Sequence, residues 1–134
     1  MQLFFNNMKH KILGIDPGSK KVGLAISDSS GMIAFAFETW ALDQKFASRL
    51  SNLIQSENIQ QIVVGLNLYP SKHFDARKWA QENLDSTNIP YEFENEDYST
   101  FEALELNPDA DKDQAAAQYI LQKYLDKNGS RNGI

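Results

Sequence analysis

Hydrophobic and polar residues alternate between Lys11 and Asp28 in the way that is typical of two half-buried strands. An apolar run over residues 12–15 is followed by a run over residues 22–26 in which every second residue is apolar. The sequence Pro17-Gly18 between the two runs is a strong turn signal. The segment therefore predicts a β-hairpin with Asp16 beside its bend.

Further periodic segments extend the predicted sheet and add helices. The almost wholly apolar run over Gln61–Leu66 is typical of a strand that helices cover on both faces, as in parallel sheets. The remaining predicted elements are, in chain order, a strand over Met32–Thr39, a helix capped by Asp43 that ends near Asn58, a helix over Lys72–Leu84, a strand over Tyr91–Asn95, a brief helix capped by Ser99, and a last helix that begins within 109–113 and runs to Asp126.

This order of elements predicts an α/β fold with a mixed five-stranded sheet flanked by helices. Short turns join the first three strands, so these are antiparallel, whereas two helical crossovers make the later strands parallel. Right-handed crossovers place the first strand in the middle of the sheet. The 134 residues are predicted to form a single domain over 1–134, with a loosely ordered extension at 1–9 and a loosely ordered tail at 128–134.

The composition narrows the class of protein and the chemistry open to it. With 42% hydrophobic and 23% charged residues the sequence is that of an ordinary globular chain. It has no apolar run long enough to span a membrane, and its first residues show no basic start and no small-residue cleavage site. We therefore expect a cytoplasmic protein without a membrane partner. The absence of cysteine excludes disulfides, thiolate metal sites and cysteine nucleophiles.

The charge is unevenly divided along the chain. Residues 1–80 contain nine Lys and Arg against six Asp and Glu, while residues 81–134 contain four against twelve, so the net charge of −5 splits into +3 and −8. A basic half that meets a polyanion, beside an acidic half that supplies carboxylates to a metal, is compatible with a metal-dependent nuclease. The alternative is an acidic surface that only keeps the protein dissolved.

Three carboxylate-bearing segments are predicted to meet at one edge of the sheet, where ligands of such sheets gather. Asp16 ends the first strand, an acidic group follows the last strand at 94–97, and the final helix starts with Asp109, Asp111 and Asp113. Like charges held close are unfavourable without a cation, and oxygen ligands without Cys or His favour Mg²⁺ or Mn²⁺. Taken singly, Asp16 could instead cap a turn and Asp113 could complement the helix dipole.

Other polar residues give weaker signals. Lys20 and Lys21 follow the acidic turn closely enough to contact a phosphate, although two solvated lysines are the alternative. We interpret His10 and His73 as incidental, because neither is grouped with a nucleophile. Trp79 falls on the apolar side of its helix and is interpreted as a core residue.

Four segments of the chain together resemble a known family. They are, in order, LGIDPGSKKVGLAISD, IVVGL, NEDYST-x-EA and D-x-AAA-x-x-ILQ-x-YL. Their order and spacing over residues 9–126 resemble the YqgF family of pre-16S ribosomal RNA nucleases, also described as Holliday junction resolvase-like. The resemblance implies an RNase H-like fold and a divalent-metal endonuclease that acts on structured nucleic acid. Its implied substrates are the 5′ end of precursor 16S ribosomal RNA and branched DNA, with ribosomal particles as further partners.

The resemblance also implies roles for individual residues. The expected metal ligands, which are also the expected catalytic residues, are Asp16, Glu96 and Asp113, and the expected metal is Mg²⁺ or Mn²⁺. Lys20 falls on the basic position of the family after the turn, and Lys21 stands where the family commonly has Arg. The residues expected to bind substrate are Lys20, Lys21 and Lys72.

Two departures from the family pattern leave other functions open. Asn95 replaces an Asp of the family, and Asp97 replaces an Arg, so that an attraction to phosphate becomes a repulsion. One alternative is therefore a nucleic-acid or ribosome-assembly binding protein without turnover. A second is an actin-like ATPase, because Gly14-Ile15-Asp16-x-Gly18 resembles its phosphate loop, but such an enzyme needs a far longer chain. The sequence is compatible with a monomer or a homodimer.

Overall fold

The computed structural model describes residues 10–66, 74–95 and 112–132. Within these ranges the strands and helices follow one another in the predicted order. The elements are β1 (Lys11–Asp16), β2 (Lys21–Ser27), β3 (Ala34–Ala41), α1 (Phe46–Ser56), β4 (Ile59–Leu66), α2 (Ala76–Leu84), a 3₁₀ turn (Asp85–Thr87), β5 (Tyr91–Asn95) and α3 (Lys112–Asn132).

The five strands form one mixed sheet in the order β3-β2-β1-β4-β5. Strand β1 pairs with β2 antiparallel, and β2 pairs with β3 in the same sense. On its other side β1 pairs with β4 in parallel, and β4 pairs with β5 in parallel. The predicted topology is thus confirmed, including the central position of β1.

Each face of the sheet carries its own hydrophobic core, because successive residues of a strand point to opposite faces. Leu13 and Ile15 of β1 lie in the core beneath α1 and α2, together with Leu50 and Leu84 of those helices. The opposite core lies beneath α3. It contains Ala25, Ala34, Val63, Ala117, Ile120, Leu121 and Leu125, with Ile12 packed against it.

Helix α3 lies directly on the backbone of β1, because Gly14 presents no side chain to it. A Cβ atom on Gly14 would lie 2.7 Å from the Cβ of Leu121 and 3.1 Å from the carbonyl oxygen of Ala117. Such distances are shorter than ordinary van der Waals contacts. The close approach fixes the position of α3 over the middle of the sheet.

Several predicted boundaries are wrong by two to six residues. Strand β3 covers Ala34–Ala41 rather than Met32–Thr39, because the amide groups of Met32 and Ile33 bond to the Asp28 carboxylate in the preceding turn. Helix α3 continues to Asn132 instead of ending at Asp126, and so enters the segment 128–134 for which the sequence predicts loose order.

Two helix starts also differ from the prediction. Helix α1 begins at Phe46, and the Asp43 carboxylate accepts the amide of Lys45 in the turn before the helix rather than capping it. Helix α2 begins at Ala76 and not at Lys72, because Asp75 is its N-cap and accepts the amides of the next turn. In both cases the apolar periodicity indicates the helix but not the residue that starts it.

Some predictions lie outside the described ranges. They concern the extension at 1–9, His73 and the brief helix capped by Ser99. Among the helices that the structure describes, none combines the length and the apolar character needed to cross a membrane.

Candidate metal and nucleic-acid site

The candidate site begins with Asp16, the last residue of β1. Its antiparallel partner on β2 is Gly23, so the two residues lie side by side on the same face of the sheet. That face is the one covered by α3, because Asp16 follows Gly14 by two residues and Gly14 contacts Leu121. Asp16 is partly exposed at this edge.

Asp113 reaches the same place from the other end of the sequence. It lies in the first turn of α3 and is partly exposed. A Cβ atom on Gly23 would lie 2.0 Å from the carbonyl oxygen of Asp113 and 3.0 Å from its Cβ. Cβ positions of residues paired across strands are about 5 Å apart, so Asp16 and Asp113 flank Gly23 within the reach of their side chains. The structure therefore brings these two predicted ligands together.

The donor set of this pair is suited to a hard divalent cation. Both groups are carboxylates, and Mg²⁺ and Mn²⁺ prefer oxygen ligands. In the ranges 10–66, 74–95 and 112–132, however, no group of three acidic or histidine side chains is assembled for a metal. Glu96, the third predicted ligand, follows Asn95 at the end of β5 and lies outside the described residues, as does Asp97.

One member of the acidic group at 94–97 has a structural role. Glu94 is only 5% exposed, and its carboxylate lies 2.9 Å from Nζ of Lys127 and 3.9 Å from Nζ of Lys123. A buried carboxylate needs such partners, because removing a charge from water without one is unfavourable. Glu94 therefore anchors the second half of α3 to β5 rather than remaining available to a metal.

The predicted basic residues occupy the hairpin turn next to Asp16. Lys20 and Lys21 are both exposed, and Lys21 is the first residue of β2. Because side chains alternate along a strand, Lys21 lies on the same face as Gly23 and thus on the side of Asp113. Two exposed ammonium groups therefore lie in and next to the turn that follows Asp16. Lys72 lies outside the described residues.

The structure also shows a residue that sequence reasoning assigned only to the core. Trp79 is 5% exposed, as predicted, but its indole N–H donates to the carbonyl oxygen of Gly18 at 3.0 Å. Gly18 belongs to the turn that follows Asp16. The one available signal in the sequence is that a buried indole nitrogen requires an acceptor, which does not tell where that acceptor is.

His10 stands apart from the site. It precedes β1, whereas Asp16 ends that strand, so the length of the strand separates them. Nδ1 of His10 is buried and has no hydrogen-bond partner among the described residues. That His10 is incidental to the chemistry stays a prediction.

Comparison with known families gives one match that covers most of the chain. Residues 10–127 match the family model described as "RuvX: Holliday junction resolvase". The matched range includes both carboxylates, Lys20 and Lys21, and it begins one residue before β1.

Curated relatives match over nearly their whole length. A protein of Dictyoglomus turgidum is 33% identical over 132 residues, which covers 87% of this chain and 94% of the relative. A protein of Leuconostoc citreum is 34% identical over 138 residues, with 89% and 96% covered. Both carry the name "Putative pre-16S rRNA nuclease".

Solved structures with the same fold include two resolvases. RuvC of Thermus thermophilus, in complex with a Holliday junction substrate, superposes with a TM-score of 0.62 at 15% identity, covering 92% of this chain and 96% of RuvC. The Fowlpox virus resolvase, in complex with Holliday junction DNA, gives 0.53 at 14% identity, covering 88% and 98%. At these identities the likeness shows the fold, which is the RNase H-like fold implied by the sequence motifs.

Proposed function

Because the chain belongs to the RuvX family, we propose that it is a divalent-metal-dependent endonuclease that hydrolyses phosphodiester bonds in structured nucleic acid. The family match and the curated relatives confirm the resemblance indicated by the four sequence motifs. The observation that carries the proposal is the packing of Asp113 on Gly23, beside Asp16. It places two carboxylates that are 97 positions apart in sequence next to each other at a partly exposed edge of the sheet.

The residues of this edge divide into two roles. Asp16, Asp113 and Glu96 would hold Mg²⁺ or Mn²⁺, which supplies a Lewis acid for the phosphate and lowers the pKa of a bound water. Lys20 and Lys21 would bind the substrate phosphates, where each ammonium group offsets the repulsion between carboxylate and phosphate. The first role fixes the reacting phosphate, and the second orients the strand that carries it.

The proposed substrate is the 5′ end of precursor 16S ribosomal RNA, processed in the cytoplasm during ribosome biogenesis. Support comes from the curated relatives, which share 30–34% identity and the name of a pre-16S rRNA nuclease. Ribosomal particles are the corresponding proposed partners. Branched DNA is the alternative substrate, since the family model is described as a Holliday junction resolvase.

A second candidate function is binding of nucleic acid without turnover. It is favoured by Asn95 and Asp97, which stand where the motif of the resembled family has Asp and Arg. A carboxylate at the position of Asp97 would repel a scissile phosphate. The two candidates differ in cleavage and agree in binding, so one experiment separates them.

The test is cleavage of a precursor 16S RNA fragment and of a four-way DNA junction with Mg²⁺ or Mn²⁺. We expect wild-type protein to cut one of them and Asp16→Asn to lose at least about a hundredfold in rate, since a ligand of the reacting metal is removed. Asp126→Asn is the matched control, because Asp126 lies on α3 about 20 Å along the helix from Asp113, and its carboxylate accepts a hydrogen bond from the side-chain amide of Gln122.

Each outcome selects one function. Cutting of the RNA alone supports ribosomal RNA processing, and cutting of the junction alone supports resolution of branched DNA. Binding of either substrate without cutting, at every metal concentration, would replace the nuclease by the binding protein. Equal cleavage rates for wild type and Asp16→Asn would show that Asp16 takes no part in the reaction, and would contradict the proposed site.

A further inference from the structure

The turn between β1 and β2 is compact and carries one of the proposed phosphate-binding residues. A Cβ atom on Gly18 would lie 2.3 Å from the carbonyl oxygen of Lys21, so the turn folds closely onto its own backbone. Lys20 is exposed at its end, and Asp16 precedes it. The conformation of this turn therefore determines the position from which the side chain of Lys20 extends.

Two hydrogen bonds from other elements hold the turn. The indole N–H of Trp79 in α2 donates to the carbonyl oxygen of Gly18 at 3.0 Å. The amide of Leu42, after β3, donates to the carbonyl oxygen of Lys20 at 2.8 Å. These contacts lie two residues apart along the turn, and together they fix its path relative to the sheet.

The donor itself is held rigidly. The ring of Trp79 packs edge to face against Phe46, with centroids 6.1 Å apart, and Phe46 packs in the same way against Trp40 at 6.0 Å. All three rings are at most 5% exposed. Because the rings interlock, the indole N–H of Trp79 has a fixed direction, and the carbonyl oxygen of Gly18 is placed by the core.

We infer that Trp79 is a positioning residue that presents Lys20 to a substrate phosphate through the carbonyl oxygen of Gly18. The inference rests on the proposed function for the substrate but not for the turn, which is a property of the free protein. Without the indole donor the turn samples more conformations, and Lys20 must be ordered when substrate binds. The consequence is weaker substrate binding, with the metal-dependent step left unchanged.

The first variant is Trp79→Phe, which keeps an aromatic ring in the core and removes the N–H donor. We expect KM to rise about fivefold and kcat to change by less than about twofold, as for the loss of one net hydrogen bond. A fall in kcat at constant KM would contradict the inference, because it would place the effect on the reaction and not on phosphate binding.

Trp40→Phe is a matched control. Trp40 is buried and, like Trp79, packs edge to face against Phe46. Its indole N–H donates to the carboxylate of Glu38 at 2.7 Å. Its acceptor is not in the turn, so the substitution removes an equivalent donor without touching Gly18. We expect KM to stay within about twofold of wild type, and an equal rise in both variants would show a general effect of loosening the aromatic core.

A double-mutant cycle with Lys20→Ala tests the route of the effect. If Trp79 acts through Lys20, then Trp79→Phe adds no further rise in KM once Lys20 is removed. A further rise of the full fivefold in the Lys20→Ala background would overturn the inference, because the indole would then act independently of Lys20.

Amide hydrogen exchange tests the turn without any substrate. We expect the amides over 18–21 to exchange about fivefold faster in Trp79→Phe than in wild type or Trp40→Phe, because one net hydrogen bond is lost. Equal exchange rates would overturn the inference even if the nuclease is active. Faster exchange in a protein that neither cuts nor binds nucleic acid would leave the turn explained and reject only the proposed function.

An isosteric probe covers the case in which Trp79→Phe does not fold. The chain has two tryptophans, so Trp40→Phe leaves Trp79 as the remaining indole. Replacing that residue with benzothienylalanine exchanges the N–H for sulfur at almost constant shape. We expect the same faster exchange over 18–21, and unchanged exchange in this folded variant would contradict the role of the donor.

Discussion

At the scale of single residues, Gly23 brings the two described carboxylates of the site together. Its lack of a side chain lets the backbone of Asp113 lie on β2, directly beside Asp16. The sequence predicts that Asp16 and Asp113 share an edge of the sheet, because the topology allows the first turn of the last helix to lie over the end of the first strand. It gives no reason to single out Gly23, since a glycine within an alternating strand also fits a simple bulge or bend.

Substitution of Gly23 tests this close approach. In Gly23→Ala the new methyl group would overlap the carbonyl oxygen of Asp113, 2.0 Å away, so the start of α3 must move. We expect at least about a tenfold loss of cleavage rate, because ligand positions matter on the scale of 1 Å, and a loss of about 2 kcal/mol in the free energy of unfolding. Rates and urea unfolding measure the two effects.

Gly31→Ala is the control for this substitution. Gly31 has a φ of +72° and no atom within 4 Å of its Cβ position, so alanine there strains the backbone without a collision. We expect a loss of about 1 kcal/mol in stability with the cleavage rate unchanged. If Gly23→Ala cleaves as fast as Gly31→Ala, the packing of Asp113 on Gly23 is not needed for activity.

Trp79 shows why part of the site cannot be predicted from the sequence. Apolar periodicity correctly places the side chain of Trp79 in the core. The partner of its indole N–H is 61 residues away and depends on the distance between α2 and the turn. Such distances result from packing of the whole core, which no local pattern encodes.

At the scale of elements, capping and turn contacts decide boundaries that periodicity leaves open. Asp28 closes the turn between β2 and β3 by accepting the amides of Met32 at 2.8 Å and Ile33 at 3.1 Å and the hydroxyl of Ser30 at 2.5 Å. These bonds shift the start of β3 to Ala34. The apolar character of Met32 and Ile33, both more than half exposed, indicates a strand that the turn in fact excludes.

The same turn makes stability depend on pH. Burial raises the pKa of Asp28, but hydrogen bonds from Ser30, Ile33, Met32 and Gly31 outweigh it, so the pKa lies below the ordinary value of 3.8. A carboxyl with a lowered pKa in the folded state stabilises the protein above its unfolded pKa, and this stabilisation is lost as the pH falls through the folded pKa. The ionised form of Asp28 is thus the one that closes the turn.

Asp28→Asn tests this linkage. At pH 7 we expect the variant to lose about 1 kcal/mol in the free energy of unfolding, because the amide makes weaker hydrogen bonds than the carboxylate. Below about pH 4 the difference from wild type should shrink, since the unfolded wild-type chain binds a proton there and the folded carboxyl follows as the pH falls through its lowered pKa. Urea unfolding at pH 7 and pH 3 measures it, and an equal difference at both pH values would contradict the linkage.

Helix α3 shows how an element is fixed at several points. The middle of α3 packs on the backbone of β1 at Gly14. Near the far end of the helix, Lys127 forms an ion pair with Glu94 at 2.9 Å. Gln122 adds a bond of its side-chain oxygen to the amide of Ala34 at 2.8 Å. These contacts hold the middle and the second half of α3 against the sheet, and the packing of Asp113 on Gly23 holds its first turn.

At the scale of the whole molecule, topology accounts for most of what the sequence predicts correctly. Two short turns and two right-handed crossovers leave few arrangements, so the order β3-β2-β1-β4-β5 follows from the element types. This order places Asp16 on the central strand, where the start of α3 can reach it. The roles of Glu94 and Trp79 do not follow from topology, because they depend on which side chains lie within hydrogen-bond distance.

The central claim is that Asp16 and Asp113 hold one divalent cation, and Mn²⁺ binding measured by electron paramagnetic resonance tests it most directly. We expect Asp16→Asn and Asp113→Asn each to weaken Mn²⁺ binding at least about tenfold, and the double variant to lose less than the sum of both losses, because the two ligands share one ion. Asp126→Asn should bind as wild type does. Wild-type affinity in both single variants would contradict the claim.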